Sequence, residues 1–114
     1  MSEQLRQPTD TRRIRNSAIR YGAVPRWVAT YTGSYHGGLQ EGARRVGLYV
    51  PRPTPQNPNG HSVLFPTDTG DVTEHPIGVT PTGSHGAWWT AHATELPREQ
   101  RQAIRAHWNT LQNA

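Results

Sequence analysis

Arg26-Trp27-Val28-Ala29-Thr30-Tyr31-Thr32-Gly33-Ser34-Tyr35 is the stretch on which the reading of this chain turns. Trp27, Ala29 and Tyr31 fall on one side of an extended backbone, and Val28, Thr30 and Thr32 on the other. That alternation has the period of a β-strand. Its aromatic and β-branched side chains suit a pleated, packed surface. Gly33, Gly37 and Gly38 then mark a turn. A second strand is expected from about Arg44 to Val50, with Val46, Leu48 and Val50 on one face.

Toward the C-terminus, residues 51–60 contain four prolines and read as a stiff, extended loop of polyproline character. A short strand is expected over Ser62–Phe65. Asp68-Thr69-Gly70-Asp71 has the chemistry of a hairpin turn. Pro76 and Pro81 flank an expected strand at 77–80, and residues 87–92 read as a fifth. Leu96-Pro97-Arg98-Glu99 opens a helix, because proline is tolerated in a first turn whose N–H groups lack partners. Ala103, Ile104, Trp108 and Leu111 recur at helical spacing and are expected to face the core, with Arg98, Arg101 and Arg105 on an outward ridge.

Toward the N-terminus, Asp10 or Thr11 can cap a helix running to about Tyr21. Ile14, Ala18 and Tyr21 would form its apolar stripe, and Arg12, Arg13, Asn16 and Arg20 its basic face. Gly22 and Pro25 would end it. Residues 1–9 are polar and read as a flexible tail. The expected fold is therefore α+β: a single domain over residues 10–114, with a small twisted antiparallel sheet or partly open barrel of about five short strands, an N-terminal helix and a C-terminal helix.

Composition narrows the function. The 114 residues suit one domain. Val, Ile, Leu and Phe number only 18, so the four Trp and four Tyr must carry much of the core. Cysteine is absent, which excludes disulfides, thiolate zinc and a cysteine nucleophile. No signal-peptide pattern opens the chain and no run approaches the length of a membrane helix, so a cytoplasmic location and no membrane partner are expected.

All twelve basic residues are Arg, a bias that a GC-rich genome alone can produce. Their distribution is more informative. Residues 1–52 hold nine Arg and three acids, residues 53–97 hold four acids and no Arg, and the remainder holds three Arg and one acid. A basic half on a chain with a pI near 10.3 is the electrostatic footprint of a polyanion-binding protein.

Motifs for chemistry are weak. Asp68-Thr69-Gly70 resembles the catalytic triplet of aspartic proteases, but Pro66-Thr67 before it and Asp71 after it depart from that pattern, and the triplet reads as a turn. Pro81-Thr82-Gly83-Ser84-His85 looks slightly like one motif of cupin metal barrels, with its histidine one residue early and no companion motif. The six histidines show no ligand spacing, so no metal and no cofactor is expected. His36 and His85, in glycine-rich loops, are the candidates for acid–base work in a metal-independent ribonuclease-type toxin.

The constellation that remains is Arg12, Arg13, Arg20, Arg26, Tyr31, Tyr35, Arg44 and Arg45, with Trp27 assigned to the core. Arginines can neutralise phosphates and strand aromatics can stack on bases. The leading expectation is a small basic accessory protein that binds nucleic acid through Arg–phosphate contacts without catalysis. The alternative is a structural or protein-interaction component of a phage particle or mobile element, for which a homo-oligomer or a protein partner would be expected.

Overall fold

The computed structural model describes residues 13–14, 25–31, 35–36, 39–40, 44–58, 60–77 and 88–113. In chain order the strands are β1 (Arg13–Ile14), β2 (Arg26–Tyr31), β3 (Tyr35–His36), β4 (Leu39–Gln40), β5 (Arg44–Pro51), β6 (His61–Pro66), β7 (Val72–Ile77) and β8 (Trp88–Thr90). A 3-10 turn (Ala93–Glu95) and one helix, α1 (Arg98–Gln112), follow. The main sheet is antiparallel and open, in the order β1-β8-β2-β5-β6-β7, so β1 is a two-residue extension of five longer strands. β3 and β4 form a separate two-residue ribbon.

Register decides what shares a face. Trp27 pairs with Leu48, and Leu48 pairs with Leu64. Because side chains alternate along each strand, this puts Trp27, Leu48, Val50 and Leu64 on one face. α1 covers that face: Ile104, fully buried, meets Leu48, Val50 and Leu64, while Trp27, Val72, Leu96, Trp108 and Leu111 close the margin. Val28, Tyr49, Val63, Phe65, Ile77 and Trp88 form a second core on the opposite face. Both faces of β5 and β6 are therefore buried, which explains their unbroken apolar runs.

Gly47 lies where the second core crosses β5. An added Cβ would stand 2.7 Å from the Leu64 carbonyl oxygen and 2.9 Å from the Phe65 ring. The missing side chain lets Phe65 lean across the strand and stack on Trp88, with centroids 6.5 Å apart. Gly70 supplies the positive φ, 88°, that the β6–β7 turn requires.

Several expectations change. Of the helix expected over residues 10–21, Arg13 and Ile14 are paired as strand with Trp89 and Trp88, and the rest lies outside the described residues. Of the strand expected at 77–80, residues 78–80 lie outside the described residues, and Ile77 is the last residue of β7, Val72–Ile77. β7 contains Pro76, which the edge of a sheet tolerates because no further strand needs that N–H. The 51–60 loop is not extended. Arg52 N donates to Gly60 O at 2.8 Å, and Thr54 and Asn57 exchange backbone hydrogen bonds of 3.0 Å each. Backbone N–H groups need partners, and here they find them within the loop. No helix among the described residues is long and apolar enough to cross a membrane.

Candidate nucleic-acid interface

The alternation of β5 sends its two leading arginines to opposite faces. Arg44 points toward the α1 side. Its Nε donates to Glu95 Oε1 at 2.8 Å and its NH2 group to Glu95 Oε2 at 3.2 Å. The Thr90 carbonyl accepts from the same NH2 group at 2.9 Å, and the Tyr31 hydroxyl accepts from NH1 at 3.4 Å. Glu95 is positioned by the 3-10 turn and also accepts from the His92 backbone N–H at 2.9 Å. The side chains are 12% and 5% exposed. Burial opposes the charge on Arg44, but hydrogen bonds to Glu95 and Tyr31 outweigh it and hold the guanidinium pKa above its ordinary value.

Tyr31 is also turned inward. Its ring meets Trp89 edge-on, with centroids 5.2 Å apart. Tyr31 and Arg44 are thus brought together, as the register Tyr31↔Arg44 requires, but they are engaged inside the fold. Arg45 is exposed on the other face, its guanidinium carbon 4.1 Å from the Phe65 ring centroid. Arg26 pairs with Tyr49 at the far end of the β2–β5 ladder from the Thr30↔Arg45 pair. Arg44 and Arg45 line a common pocket with Asp68 and Leu96, but Arg26 stands apart from them, so the four do not form one surface. Arg13 is described only through its backbone pairing with Trp89, and Tyr35 and His36 only through pairing with Gln40 and Leu39. Arg12, Arg20 and His85 lie outside the described residues.

A second, half-buried polar group sits at the other end of β5. Arg52 Nε donates to Glu74 Oε2 at 2.9 Å, and the hydroxyl of buried Ser62 donates to the same oxygen at 2.7 Å. Burial alone would raise the Glu74 pKa, but these two hydrogen bonds outweigh it and hold the carboxyl below its ordinary value of 4.5. A carboxyl depressed by folding stabilises the fold above its unfolded pKa, and that contribution is lost as pH falls through the lower, folded value. Acid unfolding followed by circular dichroism is therefore expected to show a shallower pH dependence for Glu74→Gln than for the wild type, with the two stability curves converging below the glutamate range. Parallel curves would mean that Glu74 plays no part in the acid limb.

Three further arginines converge on α1. Arg98, Arg101, Gln102 and Arg105 lie three or four residues apart along one flank and line one shallow, polar pocket. Arg105 extends over the Trp27 ring, its guanidinium carbon 5.9 Å from the centroid. Among the described residues no carboxylate contributes to the lining. The chain matches no known family, no curated protein and no solved structure.

The helical spacing of Arg98, Arg101 and Arg105 was legible in the sequence as an outward ridge. Gln102 and the approach of Arg105 to Trp27 were not, because the first is a single polar residue on an exposed face and the second depends on how α1 is docked. Among the described residues no group of three or more histidines or carboxylates is placed to hold a metal ion.

Proposed function

We propose that this domain binds nucleic acid through arginine–phosphate contacts, with no chemistry of its own, and that α1 presents the contacting surface. The observation that carries the reading is the convergence of three guanidinium groups and one amide on a single pocket. A phosphate oxygen needs such donors, and guanidinium groups offer them in a planar fork. The pocket is built on a helix whose Ile104 is fully buried, so its donors rest on a rigid element. The arginines begin in the first turn of α1, where the helix dipole disfavours cations and favours anions.

The test is fluorescence anisotropy with labelled duplex and single-stranded oligonucleotides across a salt series. The logarithm of the association constant is expected to fall linearly with the logarithm of salt concentration. Arg98→Gln and Arg105→Gln are each expected to reduce that slope by about 1. If Arg45→Gln reduces the slope and the α1 variants leave it unchanged, the interface is on the opposite face of the sheet. Absence of binding to either nucleic acid at low salt refutes the reading.

A further inference from the structure

We infer that a second copy of this chain docks against the acidic flank of α1, using the arginine flank of its own α1. The inference rests on a charge division around the buried Ile104. At about 100° per residue, Arg101 and Arg105 fall to one side of Ile104, and Glu99 and Ala103 to the other. On that second side α1 and the β6–β7 turn enclose a groove. Pro66, Thr67 and Ala103 contribute its apolar surface, and Asp68, Asp71 and Glu99 its charged rim.

The rim is held in place. Thr67 N donates to Asp71 O at 2.9 Å, and Asp71 N donates to the Thr67 hydroxyl at 3.0 Å. The Thr69 hydroxyl reaches the Asp71 carboxylate at 3.4 Å. Asp68, Asp71 and Glu99 are all exposed, and no ion pair among the described residues engages them. An apolar groove rimmed by carboxylates on a fixed turn complements a row of arginines. Their aliphatic stems can cover the groove while their guanidinium groups meet the rim. Arg98 and Arg105 are exposed on such a row.

Within one molecule Asp68 adjoins Arg44 and Arg45, but the α1 arginine row faces away from the groove, so that row can reach the groove only from another molecule. Such a contact is head-to-tail, which makes association concentration-dependent and not limited to a dimer. Because its charged groups are exposed, salt should weaken it.

Sedimentation velocity of the full chain, freed of nucleic acid and run as a concentration series at low and high salt, tests this. The weight-average sedimentation coefficient is expected to rise with concentration at low salt and to return to the monomer value at high salt. Two charge-reversed variants, Asp68→Arg/Glu99→Arg and Arg98→Glu/Arg105→Glu, are each expected to sediment as monomers. Their equimolar mixture should associate, because one then carries two basic flanks and the other two acidic flanks. All four positions are exposed, and circular dichroism checks that both variants fold. If either does not, the milder Asp68→Asn and Arg105→Gln are used, each expected to reduce association. A wild type that stays monomeric at low salt, variants that associate as the wild type does, or a mixture that stays monomeric overturns the inference. No nucleic acid enters the measurement, so its outcome is independent of the proposal above.

Discussion

Arg44→Met is expected to destabilise the domain by about 3–5 kcal/mol, the usual cost of removing one partner from a buried ion pair. The reason is the state in which it leaves Glu95. That carboxylate is 5% exposed and receives two hydrogen bonds from the Arg44 guanidinium. Without them, among the described residues, only the His92 N–H still donates to it, and it must either stay charged with little solvent or take up a proton. The Thr90 carbonyl and the Tyr31 hydroxyl lose a donor at the same time. Urea unfolding should show the loss as a lower midpoint with an unchanged slope.

Adding Glu95→Gln in the Arg44→Met background is expected to recover part of the loss. The amide removes the orphaned charge, and its oxygen can still accept from His92. If Arg44→Met costs less than about 1 kcal/mol, the range of an exposed pair, the buried pairing described here is wrong. The comparison also bears on function. An arginine that binds phosphate is expected to change the salt dependence of binding while leaving stability nearly unchanged. Arg44→Met is expected to do the reverse.

Ile104→Ala is expected to cost about 2–5 kcal/mol, as large-to-small changes in packed cores do. Ile104 is 0% exposed and meets Leu48, Val50 and Leu64, which makes it the residue that fastens α1 to the sheet. Trp27, Trp108 and Leu111 are only partly buried around it, so they can move inward to some extent, and the cost falls within that range according to how far they do. Guanidinium unfolding of the purified variant measures it. Because the α1 pocket is carried on the same helix, Ile104→Ala should also weaken the proposed nucleic-acid binding under conditions where the variant remains mostly folded, without removing any charge. A cost below about 1 kcal/mol would mean that the helix is not docked through this residue.

The strands from Arg26 and Arg44, the hairpin at Asp68–Asp71 and the C-terminal helix were all legible in the sequence. Each is announced by neighbours within a few residues: alternation in the first two, turn chemistry at Thr69-Gly70, and a helical stripe through Ile104. The placement of Trp27 against the core was legible for a related reason, since a chain with so few aliphatic residues must bury its indoles. The loop at 51–60 was misread. Its prolines suggest an extended path, but the hydrogen bond from Arg52 N to Gly60 O joins its two ends. β7 was not legible, because Pro76 reads as a strand boundary, and it is the edge position of β7 in the described sheet that makes that proline acceptable.

Among the site residues, Arg44 and Arg45 show the limit most clearly. They are adjacent and chemically identical, and the sequence offers no reason to separate them. Period-two alternation assigns them to opposite faces, but which face is filled depends on Glu95, 51 residues away, and on the docking of α1. The grouping of Arg98, Arg101 and Arg105 needed only the local helix repeat. Local periodicity and turn chemistry, which act over a few residues, were thus determined by the sequence alone. Strand order, the pairing of Arg44 with Glu95 and of Arg52 with Glu74, and hence which arginines remain at the surface were decided only by the tertiary structure, because each depends on a meeting of distant segments that no local pattern records.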